Sequence, residues 1–240
     1  MNNEERENCW NQLLIAQSLG DECGVLRFAE HLSDSGDWRG SYSLGYVHEV
    51  RATNASTSSG RVDTENFVIA AQYYERAITQ GGQFAPHNAL AKIYYYGLGG
   101  WYDFRLAYKH LACCIEYASS QTLSDDLLSA VTHNQVMIAE LLFLGLGVNK
   151  DMRAAERLFA SVAKEGMPVA YIGLSRIARA EKHYFQALVN YFQALRLVRR
   201  LVSENREHPL LAGVGGKRGT FRRDWIQHAI QSPSPSLIPR

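Results

Sequence analysis

The sequence predicts an all-α protein, a right-handed α-solenoid built from about five stacked antiparallel helix pairs. Three observations predict it. Two segments, Ala91–Asp103 and Ala139–Asp151, align without a gap, and each runs from Ala through an apolar stretch to Gly-Leu-Gly and a closing Asp. Self-similarity of this kind marks repeat architectures. Four further segments share a register when Asp21, Asn66, Asp103 and Asp151 are taken as its start. Val25, Ala70, Ala107 and Ala155 stand four residues on, Ala29, Tyr74, Leu111 and Phe159 eight on, and Leu32, Ala77, Cys114 and Val162 eleven on. Those distances lie on one helical face. Finally, Gly36, Gly81 and Gly166 stand fifteen on, where a left-handed residue ends a helix.

The elements follow in order. Glu4–Leu19 and Glu22–Asp34 form a first pair around a tight turn in which Asp21 caps the second helix. Trp38–Val50 and Glu65–Thr79 form a second, joined by a long Ser/Thr/Gly loop, Arg51–Asp63, with Asn66 as the cap. Pro86–Tyr96 and Phe104–Ser119 form a third, broken at Gly97-Leu98-Gly99. Leu127–Leu144 and Met152–Glu165 form a fourth, broken at Gly145-Leu146-Gly147 and introduced by Asp125-Asp126 as a cap. Pro168–Arg179 and Tyr184–Ser203 form a fifth. One such pair cannot bury both faces, so neighbours stack. The plan is an N-terminal capping pair over 1–35, repeats over 36–203 sharing one continuous core, and a basic tail over 204–240 with a short capping helix and a disordered Ser-Pro end. The inserts Arg51–Asp63 and Ser120–Asp126 are expected as surface loops.

These motifs resemble the Sel1-like repeat, a relative of the tetratricopeptide repeat. Tyr94 to Gly99 with Asp103, Ala107 and Leu111 matches the family pattern. So does Leu142 to Val148 with Asp151, Ala155, Phe159, Val162, Ala163 and Gly166. Tyr73-Tyr74, Ala77 and Gly81 match half of an earlier copy, and Leu174, Ala178, Ala187, Tyr191 and Ala194 keep the tetratricopeptide spacing. The resemblance implies a non-enzymatic scaffold or adaptor that binds a partner protein through its concave surface. It also implies an alternative, a small-molecule-binding or hydrolytic member. The hydrolytic subgroup carries a regular cysteine pattern that Cys9, Cys23, Cys113 and Cys114 do not reproduce.

No residue set announces catalysis. HExxH, GxSxG and a strand-borne GxGxxG are absent from the sequence. Gly213–Arg218 fails the phosphate-loop spacing because Leu211 stands five before Gly216 and Arg218 replaces Ser/Thr. His110, Cys113 and Cys114 share a helix, but the register puts His110 where other copies hold Phe28, Tyr73 and Leu158, and Cys114 in the core. The expectation is therefore no cofactor, no metal and no catalytic residue. Binding residues are sought among aromatics, which supply rigid contact area with a polar tip. Tyr42, Tyr46, Tyr95 and Trp101 are the candidates on the repeats, Tyr95 being the exposed member of Tyr94-Tyr95-Tyr96.

Charge separates body from tail. The 25 Lys+Arg and 24 Asp+Glu give +1 overall, which excludes a wholly basic nucleic-acid binder and an acidic disordered chain. From Arg199 onward, eight basic residues stand against three acidic, a net +5, leaving 17 against 21, or −4, for the remainder. Phe221, Arg222, Arg223 and Trp225 are the tail's candidate contacts, and three readings stay open for it: a cap on the array, a segment docking on a partner, or a basic anchor to nucleic acid or other anionic surfaces. Nucleic acid as the main partner is not expected. The polar, acidic start and the absence of an apolar run of about 18 residues predict neither a signal peptide nor a transmembrane segment. With the sparse cysteines, they predict a cytoplasmic protein.

Overall fold

Helix starts are set by short oxygen-bearing side chains that accept the unpaired N–H groups of a first turn. In a computed structural model describing residues 1–59, 62–122 and 124–204, Asp21 accepts from Gly24 N at 3.0 Å, Asp103 from Leu106 N at 2.9 Å and Asp151 from Ala154 N at 2.8 Å. The helices are α1 (Asn3–Ser18), α2 (Glu22–Asp34), α3 (Trp38–Ser59), α4 (Thr64–Thr79), α5 (Phe84–Tyr96), α6 (Phe104–Ser119), α7 (Asp125–Leu144), α8 (Met152–Lys164), α9 (Pro168–Ala180) and α10 (Tyr184–Glu204), with no strand among the described residues; α5 and α9 begin without a side-chain cap.

Three local expectations are corrected. Arg51–Asp63 is mostly helix, because α3 continues to Ser59. The stretch holds no Gly or Pro before Gly60, and Thr53 and Ser56 turn their hydroxyls back to the Glu49 and Ala52 carbonyls, at 2.8 and 2.6 Å. The cap of α4 is Asp63, which accepts from Asn66 N at 3.2 Å. The packing register counted from Asn66 still stands, with the helix starting earlier than that cap implied. Ser124 caps α7 by accepting from Leu127 N, so Asp125 already lies inside the helix.

All twelve side chains placed in the core by the register are buried, from Val25 at 8% exposed to Ala29, Ala70, Tyr74, Leu111 and Cys114 at 0%. The two aligned turns also share a bonding pattern. Gly97 and Gly145 adopt left-handed φ values of 64° and 72°, and Leu98 and Leu146 donate to Ile93 O and Leu141 O, each at 3.0 Å. Asp103 N and Asp151 N then return to Tyr94 O and Leu142 O, at 3.1 and 2.9 Å.

The helices group into two compact units, Met1–Tyr117 and one beginning at Ala118. In the first, Cys9, Leu13, Ala29, Leu32 and Leu44 form a buried core among α1, α2 and α3. Arg39 fastens its edge, donating to Glu7 and Asp37 at 2.7 Å each and lying 5.2 Å from the centre of the Trp10 ring. Burial resists ionisation of Asp37, but the hydrogen bonds from Arg39 outweigh it and hold the carboxyl below its usual range. In the second unit, Val136, Ala139, Phe159, Val162, Val169 and Ile177 form the core of α7, α8 and α9.

Leu127–Leu144 is long and apolar enough to cross a membrane, at a mean hydropathy of 1.4, as buried core helices also can be, and the count of apolar runs did not anticipate it. Here it is a packed helix that also buries Glu140, which accepts from Arg176 Nη1 at 2.9 Å. Removing one member of a buried pair strands the other charge. Because Arg176 keeps 22% of its side chain exposed, Glu140→Ala is expected to cost about 2 kcal/mol rather than the full penalty. Chemical denaturation measures this, and a change within error would refute a structural role for the pair.

Candidate functional site

A groove of about 420 Å³ opens in the first unit. Both α1 and α3 pack on α2, so its walls are the first helices of two successive pairs and its floor belongs to α2. Trp10, Leu13 and Gln17 come from α1 at spacings of three and four, Val25 from the floor, and Tyr42, Tyr46, Val47 and Val50 from α3. Helical periodicity brings each set to one side.

Leu13 is 1% exposed and anchors the wall, whereas Tyr46 and Val50 remain 44% and 37% exposed. Tyr42 is half-buried, its ring 5.5 Å from Tyr74 and 6.3 Å from Trp38. Burial, with the Glu49 carboxylate nearby, pushes the Tyr42 phenol above its ordinary range. Glu49 in turn accepts from the Tyr74 hydroxyl at 2.5 Å. At the rim, Arg51 Nε donates to Glu22 Oε1 at 2.7 Å, so the two charged side chains lining the groove neutralise each other. The site offers an apolar and aromatic channel with a paired charge at its edge, an arrangement suited to binding apolar side chains.

The structure joins two of the predicted residues, Tyr42 and Tyr46, in this groove. Two others are corrected. Tyr95 is 3% exposed and Trp101 5%, so neither reaches a partner. Tyr95 is held edge-on against Phe104 at 6.2 Å and Tyr96 at 5.0 Å, and the neighbour left half-buried is Tyr96. Phe221, Arg222, Arg223 and Trp225 lie outside the described residues. Sequence reasoning missed Trp10, Val47, Val50 and the Glu22–Arg51 pair. The spacing of Tyr42, Tyr46 and Val50 carried the signal, and reading Arg51 onward as loop cut it short.

The His110 group is structural. His110 and His87 share a hydrogen bond between Nδ1 atoms at 2.9 Å, and the Tyr94 ring stacks on His110 at 5.9 Å. Burial, then His87 and Lys109, lowers His110 to about 4. Cys114 contacts Phe84 O, and burial pushes its thiol up to about 12, far from a reactive thiolate. Among the described residues no three His, Cys, Asp or Glu side chains gather as metal ligands.

Comparison with protein-family profiles finds no match, and comparison with curated proteins finds none either. Solved structures do match. A Sel1 repeat protein from Oxalobacter formigenes aligns with 96% of this chain and 90% of its own at TM-score 0.55 and 18% identity. A protective antigen present in uropathogenic Escherichia coli strains, displaying an SLR fold, aligns with 89% of this chain at TM-score 0.50 and 18% identity. The chain spans 42% of that antigen's length. With the shared register, the matching turns and these neighbours together, the chain has the Sel1-repeat fold, an α-solenoid of helix pairs.

Proposed function

We propose that the protein is a non-enzymatic interaction scaffold that takes a partner protein's apolar segment in the groove between α1 and α3. The observation that carries this reading is the half-exposed apolar row of Tyr46 and Val50 facing Trp10 across the α2 floor. Aromatic residues in such a groove supply contact area at low entropic cost. The self-paired Glu22 and Arg51 favour a segment anchored by apolar side chains over one anchored by charge. Four free thiols support placing the protein in the cytoplasm, and cell fractionation tests that part.

Affinity capture from native lysate with mass spectrometry, repeated with Tyr46→Ala and Val50→Asp, tests the reading. A stoichiometric partner is expected with the wild-type chain, its affinity falling at least about tenfold in each variant, as for the loss of one apolar anchor. Binding that survives both variants would move the site elsewhere. Saturable uptake or turnover of a small molecule, with no partner, would replace the reading with the small-molecule alternative, for which a groove of this volume is large enough.

A further inference from the structure

Helix α10 repeats itself. Tyr184-Phe185-Gln186-Ala187-Leu188 recurs seven residues on as Tyr191-Phe192-Gln193-Ala194-Leu195. One face of this heptad repeat is used already: Ala187, Ala194 and Leu201 are buried, and α10 packs on α9. The other face carries Tyr184, Leu188, Tyr191 and Leu195, with Phe185 and Phe192 beside them, and these six are 45% to 81% exposed. Apolar residues alternating three and four apart in strict heptads form the seam of a two-helix coiled coil. Among the described residues, α2, α4 and α8 are each covered by the next helix, and α10 has no such successor.

We infer that this seam is an interface with a second copy of the chain, two α10 helices crossing antiparallel about a twofold axis between Val189 and Asn190. Leu188 then meets the second copy's Tyr191, and Tyr184 its Leu195, so the repeat is complementary to itself, as a twofold interface requires. The area is of the required size. With about 150–250 Å² per aromatic side chain, the exposed fractions amount to roughly 600–750 Å² per copy, close to the about 800 Å² per partner of a stable interface. Charge sets the direction. Tyr184–Leu195 carries no charge, whereas Arg196, Arg199 and Arg200 cluster beyond it. Antiparallel crossing keeps the arginine clusters about 20–30 Å apart along the axis, outside a screening length of about 8–10 Å, while a parallel pair sets them side by side. The same charge disfavours residues 205–240 as the cover, since they hold six basic and two acidic side chains.

Sedimentation velocity of the full chain across the micromolar range tests this. The wild type is expected to pass from monomer to dimer with concentration. Leu188→Glu with Leu195→Glu is expected to weaken association at least about 100-fold by burying unpaired charge, with unchanged helicity because both side chains are exposed in the monomer. Gln193→Glu, off the seam, keeps the dimer, and Tyr46→Ala keeps it too, which separates this inference from the groove. Leu188→Cys with Tyr191→Cys gives a disulfide-linked dimer through those positions upon mild oxidation. A monomer at every concentration overturns the inference, including one whose Tyr184 and Phe185 are shielded from radical footprinting by residues 205–240 or by another protein. A dimer indifferent to the double glutamate variant overturns it as well.

Discussion

Gly40→Ala is expected to destabilise the first unit by about 3 kcal/mol or more, the upper end of the cost of overpacking. A Cβ at Gly40 would stand 2.5 Å from Ala29 O, 2.6 Å from Leu32 Cβ and closer still to Ser33 N. Two of those atoms are backbone at the end of α2, which no rotamer change relieves. Relief requires α3 to move off α2, and that breaks the partly buried chain in which Ser33 and Ser41 hydroxyls meet at 2.7 Å, Ser41 donates to Gln80 at 2.6 Å and Gln80 returns to Ser33 O at 2.8 Å. Gly36→Ala is the comparison: it strains a residue at φ 82° but meets no atom within 4 Å, so about 1–2 kcal/mol is expected. Urea unfolding followed by fluorescence reads the first unit, which contains Trp10, Trp38 and Trp101. Equal losses in the two variants would refute the close-approach argument.

Stability is expected to fall by about 3 kcal/mol as pH drops from about 6.5 to about 4, through His110. Its folded value of about 4 lies below the ordinary imidazole value of about 6.5. The unfolded chain therefore binds the proton first, and the contribution is present above pH 6.5 and lost as pH falls toward 4. Burial is the largest cause, and the geometry of the pair adds to it. One imidazole of the His87–His110 pair must accept, a second proton leaves two donors face to face, and Lys109 opposes the added charge on both rings. His110→Leu, copying Leu158 in the equivalent place, is expected to flatten this slope. Asp37, held low by Arg39, loses its contribution only as pH falls below its unfolded value near 3.8, so the two effects separate. An unchanged slope in His110→Leu would assign the acid sensitivity elsewhere.

The packing register was legible because a core position constrains a residue by size and polarity whatever surrounds it. Ala70, Ala107 and Ala155 are small where helices approach, and their shared place four residues after each register start locates them. Exposure within an aromatic run was not legible: choosing Tyr95 over Tyr96 depends on where Phe104 sits, a contact made after the turn. The helical course of Arg51–Ser59 was hidden by composition, since Thr53 and Ser56 satisfy their hydroxyls on their own helix instead of ending it. Tyr42 and Tyr46 were found as aromatics able to supply contact area, but the opposite wall, Trp10 and Gln17, is joined to them only by tertiary packing.

The two Gly-Leu-Gly turns close on backbone hydrogen bonds confined to the turn and its adjoining helix ends. Such a unit is a natural substrate for gene duplication and deletion. A pair can be copied or lost between one closing Asp and the next while the remaining turns keep their bonds, so array length can change by recombination while outward residues such as Tyr46 and Val50 diverge under separate selection.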